Sequence, residues 1–149
     1  MKLSGTKNTE VMNDIQKAKQ RNLLRFIHAQ ESGGIYDNTS TYTQALEEIR
    51  NGHKRTHWIW YVFPQMKGLG KSEISQFYGI NGREEAYEYI ANEKLCNRLV
   101  EATETVLNNE HSVYDIFGDD TVKFRACMLL FASVSDIPVF KQVIKKYHW

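Results

Sequence analysis

The stretch Arg55-Thr56-His57-Trp58-Ile59-Trp60-Tyr61-Val62-Phe63-Pro64-Gln65 combines side chains that can do two kinds of chemistry. Trp58 and Trp60 offer flat π faces, each with an indole N–H that needs a partner once buried. Arg55 and His57 lead into the run, Gln65 closes it, and Lys54 and Lys67 flank it. Aromatic planes beside cations suit the stacking of a base and the holding of its phosphates. The competing reading is a slab of hydrophobic core. A second run, Lys123-Phe124-Arg125-Ala126-Cys127-Met128-Leu129-Leu130-Phe131, sets two cations in an otherwise apolar segment. On a helix, residues two apart project about 200° from one another, so one of Lys123 and Arg125 must lie close to the apolar face. Either their stems lie on apolar surface with the heads in water, or one head enters a cleft and meets an anion.

Other chemistries find less support. Gly68-Leu69-Gly70-Lys71-Ser72 resembles the end of a phosphate loop, but the leading glycine of that pattern would fall at Gln65, and no strand precedes it. A nucleoside triphosphatase is therefore rejected. The five histidines have no metal-ligand spacing, so neither a metal nor a cofactor is expected. Neither Cys96 nor Cys127 has a nucleophile signature, and both are expected reduced and buried.

The elements that must carry these residues read as helices. With 149 residues, 42% hydrophobic and 25% charged, the chain suits one soluble domain. Residues 1–12 are polar and read as a loose segment, followed by one helical domain over 13–149. Ile15, Leu23, Phe26, Ile27 and Gln30 fit a first helix that ends at Ser32-Gly33-Gly34. Ser40 or Thr41 can cap a second, with Tyr42, Ala45, Leu46 and Ile49 on one face. Asn81 is placed to cap a helix carrying Ala86, Tyr87 and Ile90. Leu95, Leu99, Ala102 and Val106 stripe the clearest amphipathic helix. Asp119 or Asp120 is placed to cap the apolar helix of the second run, and Asp136 with Pro138 opens the last. Strand signals are confined to Ile59–Phe63, which has no partner strand. The expected fold is all-α, an array of about eight short helices.

The order of these motifs resembles the Domain of Unknown Function 1810 family, small bacterial proteins sometimes mislabelled calpastatin. The resemblance rests on Arg25–Gln30, on Tyr42–Ile80, on Tyr114–Ala132 and on Pro138–Tyr147. It implies an all-α array and brings no settled activity. It marks Phe26, Ala29 and Gln30 as shared with the family. It also marks Lys54, Arg55, His57, Trp58, Trp60, Phe63, Pro64, Gln65, Gly68, Leu69, Gly70 and Ser72. Tyr78, Gly79, Ile80, Phe117, Gly118, Lys123, Arg125, Met128 and Phe131 complete the pattern. Cys127 and Leu129 depart from it, standing where serine and threonine are frequent.

A net charge of +1 gives no global field for extended nucleic acid, and no apolar run reaches membrane-spanning length. A cytoplasmic protein of bacterial or phage type is expected. The leading reading is a pocket for a small anionic aromatic ligand, nucleotide-derived, of the ADP-ribose or cyclic-nucleotide kind, in a sensor or sequestering sponge. Trp58 and Trp60 would form walls, Arg55, Lys123 and Arg125 would hold phosphates, and Gln30, His57 and Gln65 would read polar edges. Two alternatives stand beside it. One is a hydrolase on such a substrate with His57 as general acid-base. The other is a helical protein-interaction module with the tryptophans as core.

Overall fold

The structure is a computed structural model that describes residues 22–35 and 37–149. It is all-α. Helical residues 22–32 form α1, followed by α2 (Tyr42–Arg50), α3 (Ile59–Val62), α4 (Glu73–Tyr78), α5 (Gly82–Ala91) and α6 (Glu93–Leu107). Then come α7 (Val113–Phe117), a 3₁₀ turn (Gly118–Asp120), α8 (Thr121–Val134) and α9 (Pro138–Tyr147). No strand occurs among the described residues. The expected polar segment 1–12, and Ile15 at the start of the first helix, lie outside them.

The apolar stripes of α2 and α6 fall where periodicity places them, but that of α5 does not: Tyr87 is exposed, and Tyr89 is buried in its stead against Phe26 and Phe131. Tyr42, Ala45, Leu46 and Ile49 of α2 are buried, as are Leu95, Leu99, Ala102 and Val106 of α6. Helix α8 crosses the core and packs on α5, α7 and α9. Its Phe124 stacks on Phe117 (4.6 Å between ring centres) and meets Phe63 edge-on at 4.9 Å. Such offset and edge contacts add to the burial of the rings themselves. Cys96 and Cys127 are both free thiols, Cys127 buried and Cys96 half-buried.

Of the expected caps, one of the two candidates forms on α2, whereas those on α5, α8 and α9 do not form. Thr41 caps α2 through its hydroxyl, while Ser40 bonds to Asp37 and to the His57 main chain. Asn81 makes no side-chain cap on α5; instead its main-chain N–H donates to the Glu85 carboxylate (3.0 Å), which also receives Arg25 at 2.6 Å. Asp120 precedes α8 without capping it, because its carboxylate is taken by two lysines. Asp136 likewise does not cap α9, whose first turn is set by Pro138.

One backbone closure positions the site. Ile80 N–H donates to Gln65 O and Lys67 N–H donates to Ile80 O, both at 2.9 Å. This pins both sides of the 66–79 excursion, so the loop and α4, which packs on α3, stand across a cleft from α8. Gly79 follows α4 in extended backbone, and a Cβ there would come within 2.6 Å of Lys67 Cα. Glycine is needed for that close approach, not for a left-handed turn.

Candidate binding cleft

The aromatic run is divided between core and cleft. Helix α3 is a single turn that begins only at Ile59, so a helical face cannot be extended back through Arg55 and His57. Trp58 precedes it, is fully buried, and donates its Nε1–H to Glu48 Oε1 at 3.0 Å. Trp58 is therefore a wall of the core, not of a ligand site. Trp60 is half-buried and opens to solvent.

Glu48 explains the local shape. This carboxylate is 3% exposed and receives the main-chain N–H groups of Arg55 and Thr56, the Thr56 hydroxyl, Gln44 and Trp58. Burial opposes its ionisation. The hydrogen bonds, led by those from the Thr56 and Arg55 main chain, outweigh burial and hold the carboxyl at about 2. A charged group buried among neutral donors thus ties the 53–58 segment to α2. Beside it, the Asp37 carboxylate accepts from Ser40 and Thr39, which hold it at about 2. Ser40 Oγ accepts from His57 N–H (3.0 Å) and latches the same segment from the other side.

Past this anchor, Trp60 and Gln65 meet α8 across an open cleft of about 500 Å³. Leu69, Gly70, Lys71, Ser72 and Ser75 form one wall; Val122, Lys123 and Ala126 form the other. The Lys123 ammonium lies 5.0 Å from the centre of the Trp60 ring and 2.8 Å from Asp120 Oδ1. Asp120 Oδ2 meets Lys54 at 3.0 Å, and Lys54 lies over Trp58 at 5.3 Å. Burial works against ionisation of Asp120, but the hydrogen bonds and charges of Lys123 and Lys54 prevail and hold its carboxyl below the ordinary range. Among the described residues, no carboxylate lines the cleft itself.

Of the residues expected at a site, the structure brings together Trp60, Gln65 and Lys123. Gln30 is buried elsewhere: its amide donates to Tyr61 O at 2.8 Å and accepts from Arg98 at 3.2 Å, joining α1, α3 and α6. Arg55, His57 and Arg125 are exposed and do not line the cleft. Arg125 leaves the apolar face because Lys123 is the one of the pair that turns toward Trp60. Sequence reasoning noted Lys54 and Leu69 without assigning them to the site, read Asp120 as a cap, and left Lys71 and Val122 unassigned. The available signal was the glycine-framed Gly68–Ser72 turn, which carries Leu69 and Lys71. Among the described residues no group of three His, Cys, Asp or Glu side chains could hold a metal ion, and no helix is long and apolar enough to cross a membrane.

Fold and cleft together define an all-α protein with a lysine-and-tryptophan groove against its central helix. The chain belongs to the family described as Protein of unknown function (DUF1810), whose model matches residues 20–149. It is similar to the crystal structure of the conserved hypothetical protein Rv1873 from Mycobacterium tuberculosis. The TM-score is 0.76 and the identity 38%, over 85% of this chain and 87% of that one. Among curated proteins, none matches.

Proposed function

We propose that this is a cytoplasmic binding protein that takes a small anionic ligand with an aromatic part, nucleotide-derived, in the cleft between the 66–75 segment and α8. The observation that carries the reading is the joint placement of Trp60, Lys123 and Gln65 around one open volume of about 500 Å³. A half-open indole with a fixed ammonium at its face provides a stacking surface and a charge in one place. Leu69 and Val122, 64% and 68% exposed, flank the opening and would cover an apolar ring. Such a protein would sense or sequester its ligand.

The hydrolase reading loses its candidate acid-base from the cleft, because His57 sits outside the lining. An interaction module draws support from Val122 and Leu129, which share the outer face of α8 and are both exposed. One experiment separates the readings. Purified protein is incubated with a panel of nucleosides, nucleotides and ADP-ribose; its melting temperature and the mass of the recovered ligand are then measured. Binding predicts a raised melting temperature with ligand returned intact and no rise in Lys123→Met. A changed ligand mass establishes turnover, and no rise with any member overturns the nucleotide reading.

A further inference from the structure

We infer that the cleft selects a terminal phosphomonoester over a cyclic or bridging phosphodiester, and that Asp120 is the positioning residue behind this choice. The inference rests on the nucleotide-binding reading above and names the end of the ligand that meets Lys123.

The trio Lys54–Asp120–Lys123 is asymmetric. The Lys54 side chain is only 9% exposed, and the ion pair to Asp120 Oδ2 is what compensates its charge there. A buried ammonium stripped of its carboxylate is strongly disfavoured, so Asp120 stays with Lys54 whatever enters the cleft. Lys123 is 26% exposed, with its head at the cleft wall. An ammonium carries three donors. One goes to Asp120, which leaves N–H groups that can turn to a ligand without breaking that bond. Two lysines sharing one carboxylate leave a single surplus positive charge, fixed in space on the α8 wall. The facing wall carries Lys71.

The neutral groups of that wall sharpen the pattern. Ser75 Oγ–H donates to Ser72 O at 2.8 Å and is spent. Ser72 Oγ accepts from Ser75 N–H at 3.2 Å, and its own proton is free to donate. Gln65 adds an amide. The cleft therefore offers two ammonium groups and two neutral donors to whatever anion sits between the walls. A terminal phosphate presents three charged oxygens and close to two negative charges near neutrality. A cyclic or bridging diester presents two such oxygens and one charge. The donor count and the spread of positive charge over both walls match the monoester.

The test is isothermal titration of the full chain with four probes: a nucleoside, its 5′-monophosphate, its 3′,5′-cyclic monophosphate and inorganic phosphate. The monophosphate is expected to bind at least tenfold more tightly than the cyclic form. Lys123→Met should bring that ratio close to one. Asp120→Asn should tighten both nucleotides, since a negative charge is gone, yet lower their ratio, since the ammonium is no longer held in place. A merely structural Asp120 would leave the ratio unchanged. If Asp120→Asn does not fold, the double variant Lys54→Met/Asp120→Asn removes the ion pair without changing the net charge; no tightening is then expected, and the fall in the ratio alone is read. Equal or tighter binding of the cyclic form, or an unchanged ratio in Lys123→Met, overturns the inference while the nucleotide reading stands. Lys123-dependent binding of phosphate without any nucleotide binding overturns the nucleotide reading and keeps the phosphate-end selection. Binding of no probe overturns both.

Discussion

Trp58 and Trp60 are two residues apart, and each belongs to a cluster organised by a carboxylate. Around Trp58, Glu48 is buried and satisfied by neutral donors from its own neighbourhood. Around Trp60, Asp120 lies at the cleft edge and is satisfied by two ammonium groups. The first cluster spends its donors on a charge that is enclosed away from solvent, so it holds the fold together. The second carries a surplus cation, an open aromatic face and room beside them. A residue type and its position in sequence do not separate structure from function here; the state of the hydrogen-bond inventory does.

The contrast fails most visibly if Glu48 proves dispensable. Glu48→Ala strands the Arg55 and Thr56 amides and the Trp58 indole, and is expected to cost about 3–5 kcal/mol in urea unfolding, the scale of several buried donors left unpaired. Trp58→Ala belongs to the same range, as a large core truncation. A loss below about 1 kcal/mol in Glu48→Ala would show that the buried anchor is incidental.

Acid titration sharpens the same point. The Glu48 carboxyl is held at about 2 against an ordinary value of 4.5. A depressed folded value means that the unfolded chain takes up the proton first. The stabilisation is thus fully present above pH 4.5 and is lost as pH falls toward 2. That gap, at about 1.4 kcal/mol per pH unit, corresponds to roughly 3 kcal/mol. Glu48→Gln should flatten this part of the curve of unfolding free energy against pH. A wild-type limb that survives intact in the variant would assign the acid sensitivity to other carboxylates.

Trp60→Ala should do the reverse of Trp58→Ala. It is expected to weaken ligand binding by about 1–3 kcal/mol, the worth of a stacked aromatic, with a smaller loss of stability. Equal damage to stability by the two truncations would erase the distinction between core ring and cleft ring. The smallest effects are expected from Arg55→Ala, His57→Ala and Arg125→Ala. All three side chains are exposed outside the cleft, and each change should fall within about 0.5 kcal/mol for stability and leave binding unaltered. A large binding loss in any of them would relocate the site.

These three residues also show how far the sequence could be read. The stripes of α2 and α6 were legible because local periodicity reports burial directly. The all-α class followed from them. Within the aromatic run, adjacency in the chain grouped Arg55 and His57 with the rings, whereas α3 is a single turn that begins beyond both of them. The pair Lys123 and Arg125 was correctly read as divergent, but nothing local says which of two opposed residues faces a cleft. Asp120 looked like a helix cap because aspartate before a helix usually is one. Its actual partner Lys54 is 66 residues earlier in the chain, a distance that only tertiary packing closes. Gln30 was drawn toward the site by its polarity, whereas its amide supports the carbonyl of a one-turn helix that has few partners of its own.

The spacing of the two indoles has an optical consequence. Trp58 is fully buried and held by a fixed bond to Glu48, so its surroundings relax little around the excited state and it emits to the blue of Trp60. Trp60 sees solvent and a nearby ammonium, so it emits toward the red. The protein thus carries an internal reference beside its own reporter, with Trp149 stacked on Tyr147 as a third emitter. A molecule settling in the groove should quench or shift only the red edge of the spectrum. Unfolding should move the blue edge. Occupancy and integrity can then be followed separately in one cuvette, without a label.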